Sequence, residues 1–144
     1  MRNTSRFDQY IFKLVWKQVI PALGFAFTYY DDDYIVQRAI SGFQQCAALA
    51  THFVMPEVFD HIVLSVSPTT GLLDVPMPRT FNYPTTEAEG QTVSVSPLSV
   101  HFGGNLKGQL AAIVLFRIVN GNAHTLREGW KQVRAFSVLT LNVR

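Results

Sequence analysis

An all-α fold is predicted by three features of the sequence. Apolar residues recur at three- and four-residue steps through several long stretches. One of these, Leu106–Phe136, reads as a buried helix, a tight turn and an amphipathic helix. The proline, threonine, serine and glycine that break helices are concentrated in one interval, from Pro68 to Gly104. A buried helix followed by an amphipathic one is the unit of a helical hairpin or solenoid.

Five helices are predicted, the first near Arg6–Phe27. Ser5-Arg6-Phe7-Asp8 has the form of a capping box, with Asp in place of Glu. Phe12, Val15, Trp16 and Val19 share a face that Leu23 continues. Pro21 should kink or break this helix, because its nitrogen has no proton to donate. The second helix is expected near Asp32–His52. Asp31, Asp32 and Asp33 put negative charge at its start, where the helix dipole favours it. Val36, Ala39, Ile40, Phe43, Cys46, Ala47 and Ala50 form its core face, and Gly42 allows a close neighbour. The third helix, Pro56–Ser67, has proline in its first turn. Val58, Phe59, Ile62 and Val63 are its apolar side.

From Pro68 the helical pattern stops. Pro68, Pro76, Pro78 and Pro84 exclude a continuous helix, so residues 68–105 are expected to be a long inserted loop. Short extended pieces are expected at Thr92–Val95 and Leu98–Phe102. The fourth helix, Leu106–Asn120, carries Leu110, Ile113, Val114 and Leu115 and should be buried on most sides. Asn120-Gly121-Asn122 should end it, with Gly121 left-handed and Asn122 or Thr125 capping the next helix. The fifth helix, Ala123–Ser137, has Leu126, Trp130 and Val133 on one side, with Arg127, Glu128, Lys131 and Arg134 mostly on others. The chain is therefore expected to be a single domain over residues 1–144. It divides into three helices (6–67), the insertion (68–105) and a terminal helical hairpin (106–137).

A length of 144 residues is enough for one hydrophobic core. Charged residues are 15% of the chain, against about 25% in an average protein. That deficit suggests a surface covered by partners, or a piece of something larger. The single cysteine, Cys46, rules out a disulfide framework within the chain and favours the cytosol or nucleus over the secretory lumen. No signal peptide is expected. Lys13, Lys17 and Pro21 interrupt one apolar stretch and Arg117 the other, so neither reads as a membrane span. Charge is distributed unevenly. The chain carries +3 up to Tyr30, −6 from Asp31 to Gly90 and +5 from Gln91 onward. Solvated helix faces account for such a pattern in the first instance, and a basic end of this kind also suits an anionic lipid surface.

No catalytic centre can be assembled from the sequence. Gly103-Gly104-Asn105-Leu106-Lys107-Gly108-Gln109 superficially resembles a phosphate loop, but Gln109 stands where Lys then Ser or Thr would be required. His52, His61, His101 and His124 lack metal-ligand spacing, and Cys46 is isolated. No nucleophile, base and orienting group come together. No cofactor, no metal and no nucleic-acid partner are expected. Asn3-Thr4-Ser5 matches a glycosylation acceptor, which means little without export. Trp130 at helical spacing with Leu126 and Val133 is expected to be core. Arg127, Lys131 and Arg134 can then face lipid or a partner.

Several blocks resemble a known family. The stretch Thr92–Val133 is similar to part of the large Arf guanine-nucleotide exchange factors of the Golgi brefeldin A-resistance type, and most similar to the fungal members. Within it, LREGWK at Leu126–Lys131 after a buried helix is the most specific piece. Trp16 in FKLVWKQVIPALGFAF and the helix containing VQRAISGFQQCA come next. The match is to the first homology region downstream of the catalytic domain. The resemblance implies an armadillo- or HEAT-like segment that serves membrane targeting and regulation of Arf activation in Golgi vesicle transport. In that family the catalytic glutamate finger lies in a separate upstream domain. No FRLPGE-like block occurs here, so no exchange activity and no catalytic residue are expected. The resemblance further implies a cytoplasmic protein, peripheral on Golgi membranes. Its partners would be anionic Golgi lipids and other domains of the parent, with Arf engaged only through the catalytic domain. A plain helical-repeat interaction scaffold without a lipid role is the alternative.

Overall fold

The computed structural model describes residues 4–71, 85–88, 91–94, 97–122 and 133. Helix α1 spans Thr4–Tyr29, α2 Asp33–His52 and α3 Pro56–Val66, followed by a 3₁₀ turn at Ser67–Thr70. Two short strands follow, β1 at Thr85–Ala88 and β2 at Gln91–Ser94, and then α4 at Pro97–Gly103 and α5 at Leu106–Asn122. The architecture is that of an all-α helical-repeat segment with one small hairpin in the insertion.

Helix α1 continues through Pro21, contrary to the expected break. Pro21 is on the exposed side, where the carbonyl it leaves unbonded can meet water. On the other side Ile20 and Phe27 are buried and anchor the turns before and after it. Val15 and Val19, expected in the core, are exposed, and Phe12, Trp16, Ile20 and Phe27 are the residues that α1 buries.

Helix α2 begins as its acidic start suggests. Asp32 is the N-cap, and its Oδ1 accepts from the Ile35 amide at 3.1 Å. It ends in a Schellman arrangement. The Val54 amide donates to the Thr51 carbonyl at 3.2 Å and the Met55 amide to the Ala50 carbonyl at 2.9 Å. Val54 occupies the left-handed position, φ 56°, that glycine or asparagine usually fills. Met55 turns inward and is buried. Pro56 then opens α3, which buries Val58, Phe59, Ile62, Val63 and Val66 completely.

The helices stack as two antiparallel pairs. Phe12 and Gln9 near the start of α1 meet Phe53 at the end of α2, while Phe27 near the end of α1 meets Phe43 farther back, so α1 and α2 run in opposite directions. Trp16 meets His61, Gly24 faces Ser65, and Thr28 bonds Thr69, so α1 and α3 run in parallel. Helix α5 lies beside α2 in the second layer, with its start near the end of α1 and Arg117 and Ile118 facing Ala47, Ala48 and Thr51. Pairs α1–α2 and α3–α5 are thus successive units of a two-layer stack, the arrangement from which solenoids are built.

The insertion contains more order than a loop. β1 and β2 pair antiparallel with Thr85 opposite Ser94 and Ala88 opposite Gln91. Residues 98–102, expected to be extended, lie instead in α4, with Pro97 at its first position, where a missing amide proton costs nothing. The turn expected at Asn120-Gly121-Asn122 is helical and belongs to α5. Ile113 is exposed, while Ala111, Ala112, Val114, Leu115, Ile118 and Val119 carry the burial of α5. The fifth expected helix, Ala123–Ser137, lies outside the described residues except for Val133, which is helical and buried.

Candidate interaction surfaces

The glycine-rich run before α5 is a structural joint. Asn105 Oδ1 accepts from the Gly108 amide at 2.7 Å, an N-cap in all respects. Gln109 Nε2 donates to the carbonyls of Phe102 and Gly103, each at 2.9 Å, and so covers the end of α4. Lys107 reaches across to the end of α1. Its Nζ donates to the carbonyls of Thr28 at 3.0 Å and Tyr30 at 2.9 Å and pairs with Asp31 Oδ1 at 2.7 Å. A cation placed there satisfies carbonyls that the helix terminus leaves unbonded. The polar groups a phosphate loop would need are therefore engaged in holding α1, α4 and α5 together.

The side chains singled out for acid–base or metal chemistry are dispersed. His52 packs against Phe53, His61 against Trp16, and His101 is exposed on α4. The His61 Nδ1 lies 3.0 Å from the Glu57 carbonyl, within its own helix. Among the described residues no three His, Cys, Asp or Glu side chains come together as metal ligands. Cys46 is buried in the core, and burial pushes its thiol above the usual range. His124, Trp130, Arg127, Lys131 and Arg134 lie outside the described residues.

Among the described residues, two surfaces are open enough to receive a partner. The first is an open groove of about 520 Å³ between α2 and α5, lined by Gln44, Ala47, Ala48, Thr51, Arg117 and Ile118. Its alanine floor permits close approach, and the Arg117 guanidinium makes no hydrogen bond or ion pair with the described residues.

The second is the outward side of α1. Phe7, Ile11, Leu14, Phe25 and Tyr29 recur at helical spacing opposite Phe12, Trp16, Ile20 and Phe27, and Tyr10 lies at the edge of the row. Phe7 is 64% exposed, Leu14 59% and Tyr29 71%. Over Arg6–Tyr29 the helix is long and apolar enough to cross a membrane, yet its inner side is committed to the core. Sequence periodicity missed this surface because both sides of α1 are apolar. The signal that could have found it is the continuation of large aromatics around the whole helix.

Comparison with known proteins identifies the relatives. The chain is 30% identical over 136 residues, 88% of its length, to the Golgi-specific brefeldin A-resistance guanine nucleotide exchange factor 1 homolog of Caenorhabditis elegans. It is 29% identical over 131 residues, 81% of its length, to ARF guanine-nucleotide exchange factor 2 of Saccharomyces cerevisiae. It is 24% identical over 126 residues, 88% of its length, to the ARF guanine-nucleotide exchange factor GNOM of Arabidopsis thaliana. The matched regions are 7%, 9% and 8% of these relatives, so the chain spans under a tenth of their length. No family model and no solved structure matches it.

Proposed function

We propose that this chain, which is related over most of its length to one region of the large Arf guanine-nucleotide exchange factors, is a non-catalytic helical module of such a protein. The region is the first homology segment downstream of the catalytic domain. It supports membrane targeting and regulation of Arf activation in Golgi vesicle transport, from a peripheral position on the cytoplasmic side. Arf is engaged by the catalytic domain of the parent and not by this segment. The observation that carries the reading is the relation to exchange factors across 88% of the chain, combined with a sequence that contains no glutamate-finger block.

Anionic lipid is the proposed surface partner. Arg127, Lys131 and Arg134 of the terminal segment, beside Leu126 and Val133, form the division of basic and apolar residues that an interfacial helix requires. Flotation of the purified chain with phosphatidylserine vesicles tests this. The chain should rise with anionic vesicles, stay behind with neutral ones and lose binding at high salt. Equal recovery with and without vesicles would reject it.

A second reading is supported by the groove between α2 and α5. Its small-residue floor and the Arg117 charge suit a partner helix bearing carboxylates, with lipid irrelevant. Arg117→Glu would then disrupt capture of the other domains of the parent and leave flotation unchanged.

A further inference from the structure

We infer that the outer face of α1 is the seat of one amphipathic protein helix, acidic along one edge, supplied by another part of the long polypeptide to which this segment belongs. The inference rests on the reading of the chain as one segment of a large exchange factor.

At about 3.6 residues per turn, Phe7, Ile11, Leu14, Phe25 and Tyr29 form one row directed away from α2 and α3, and all of them are exposed. A helix apolar on every side is ordinarily enclosed, and among the described residues nothing covers this side. From Phe7 to Tyr29 the row runs roughly 33 Å, the length of a facing helix of about 22 residues. Its middle is low and polar. Gln18, Pro21 and Ala22 stand exposed between Leu14 and Phe25. Ala22 and the flat ring of Pro21 leave a shallow hollow, where a bulky side chain of a facing helix can sit as ridges enter grooves. Pro21 has no amide proton, so the Lys17 carbonyl lacks its helical donor. The Gln18 amide has no hydrogen-bond partner among the described residues. A hydrocarbon cover would strand both groups. A Ser, Asn or Gln at the centre of a facing helix would meet them.

Charge fixes the edge of that helix. Arg6, Lys13 and Lys17 lie together on one flank of the row, and Asp8 lies on the other. Lys17 lies over the Trp16 ring at 5.6 Å, and none of the three cations is in an ion pair with the described residues. From Gln9 to Tyr30 there is no acidic residue. The complementary edge of the partner therefore carries carboxylates over about three turns.

The size of the contact places the partner in the same polypeptide. One helix laid over this row buries on the order of 1,200 Å² in total, the lower edge of interfaces that hold free proteins together. Within one polypeptide the local concentration is on the order of millimolar, which saturates the same contact. The segment matches only 7% to 9% of its relatives, so the remainder of such a protein has ample length to supply the helix.

Fluorescence anisotropy with two labelled synthetic helices tests the face. Both carry leucine along one row with asparagine at its centre. One has glutamate and the other lysine along the edge that meets Arg6, Lys13 and Lys17. The full chain should bind the glutamate helix at least about tenfold more tightly, since each exposed pair is worth about twofold when formed and costs as much when reversed. Arg6→Glu, Lys13→Glu, Lys17→Glu should reverse the preference, which an unfolded chain could not do. Leu14→Asp with Phe25→Asp should bind neither helix while circular dichroism stays unchanged. If the unaltered chain binds both helices equally, or neither, the inference fails. Thiol labelling then tests the occupant. Leu14→Cys should react with a maleimide at least about tenfold more slowly in the long exchange-factor polypeptide than in this chain alone, with buried Cys46 slow in both. Equal rates would make the face a seat for a free partner, and the inference fails while the segment reading stands. Protection that appears only with phosphatidylserine vesicles, or that rises with the concentration of this chain alone, assigns the face to lipid or to a second copy and also overturns it. If the chain occurs in its cells only as a free 16.2 kDa product, the segment reading fails and takes the inference with it.

Discussion

Replacing Gly108 by alanine should destabilise the chain, although alanine is the better helix former. A Cβ at Gly108 would lie 2.6 Å from Asn105 Nδ2 and 2.7 Å from the Thr70 carbonyl oxygen. Neither neighbour can yield cheaply. Asn105 is fixed by its cap bond to the Gly108 amide. Thr70 is buried, and its hydroxyl donates to the Ser67 carbonyl at 2.7 Å, which holds the 3₁₀ turn in shape. Overpacking costs about 1–3 kcal/mol, and loosening the cap costs about 1 kcal/mol more. The helix-propensity gain returns about 1 kcal/mol, leaving a net loss of about 1–3 kcal/mol. Gly121 is the control, since it lies in the same helix and a Cβ there would meet nothing within 4 Å. Gly121→Ala should therefore gain about 0.5–1 kcal/mol. Urea denaturation of both variants measures the difference, and thermal midpoints should shift by about 2–4 °C per kcal/mol. A Gly108→Ala variant as stable as the parent would refute the close contact between α5 and the 3₁₀ turn.

Three further outcomes follow from the same geometry. Val54→Gly should stabilise the chain by about 1 kcal/mol, because a β-branched residue in the left-handed region is strained and glycine is not; a loss in urea denaturation would contradict the Schellman turn. Lys107→Met should cost about 1–2 kcal/mol through the lost carbonyl bonds, while Asp31→Asn should cost under about 1 kcal/mol because the Asp31 side chain is 95% exposed; equal losses would show that the ion pair dominates. Burial raises the Cys46 thiol, so the folded chain holds its proton after the unfolded chain has released one. Its stabilising contribution is present below the unfolded thiol value of about 8.5 and is lost as pH rises beyond it. Denaturation midpoints should fall across that alkaline window, and Cys46→Ala should remove the dependence. Thiol reagents should label native Cys46 slowly, and rapid labelling would place it at the surface.

Most of the scaffold was legible because α2 and α3 each have one apolar side. The core face expected for α2 is the observed one, with only Ile40 half-buried, and all four residues expected of α3 are fully enclosed. Helix α1 was legible as a helix but not in its facing, since Val15 and Val19 continue an apolar pattern that runs right around it. Pro97 carried the sign of a helix start, but serine and valine around it also suited a strand. The run from Gly103 to Gln109 invited a phosphate-binding reading, and its actual role needs partners such as Thr28 and Asp31 that no local window contains. Lys107 was therefore invisible as a joint. Val54 hid its turn because valine gives no hint of a left-handed backbone.

Nucleotide release from Arf tests directly whether the proposed exchange-factor segment is non-catalytic. Purified chain should be added in catalytic amounts to Arf loaded with a fluorescent GDP analogue, in the presence of anionic vesicles and excess GTP. Release should stay at the spontaneous rate at every concentration of the chain. Acceleration that scales with the amount of chain would contradict it.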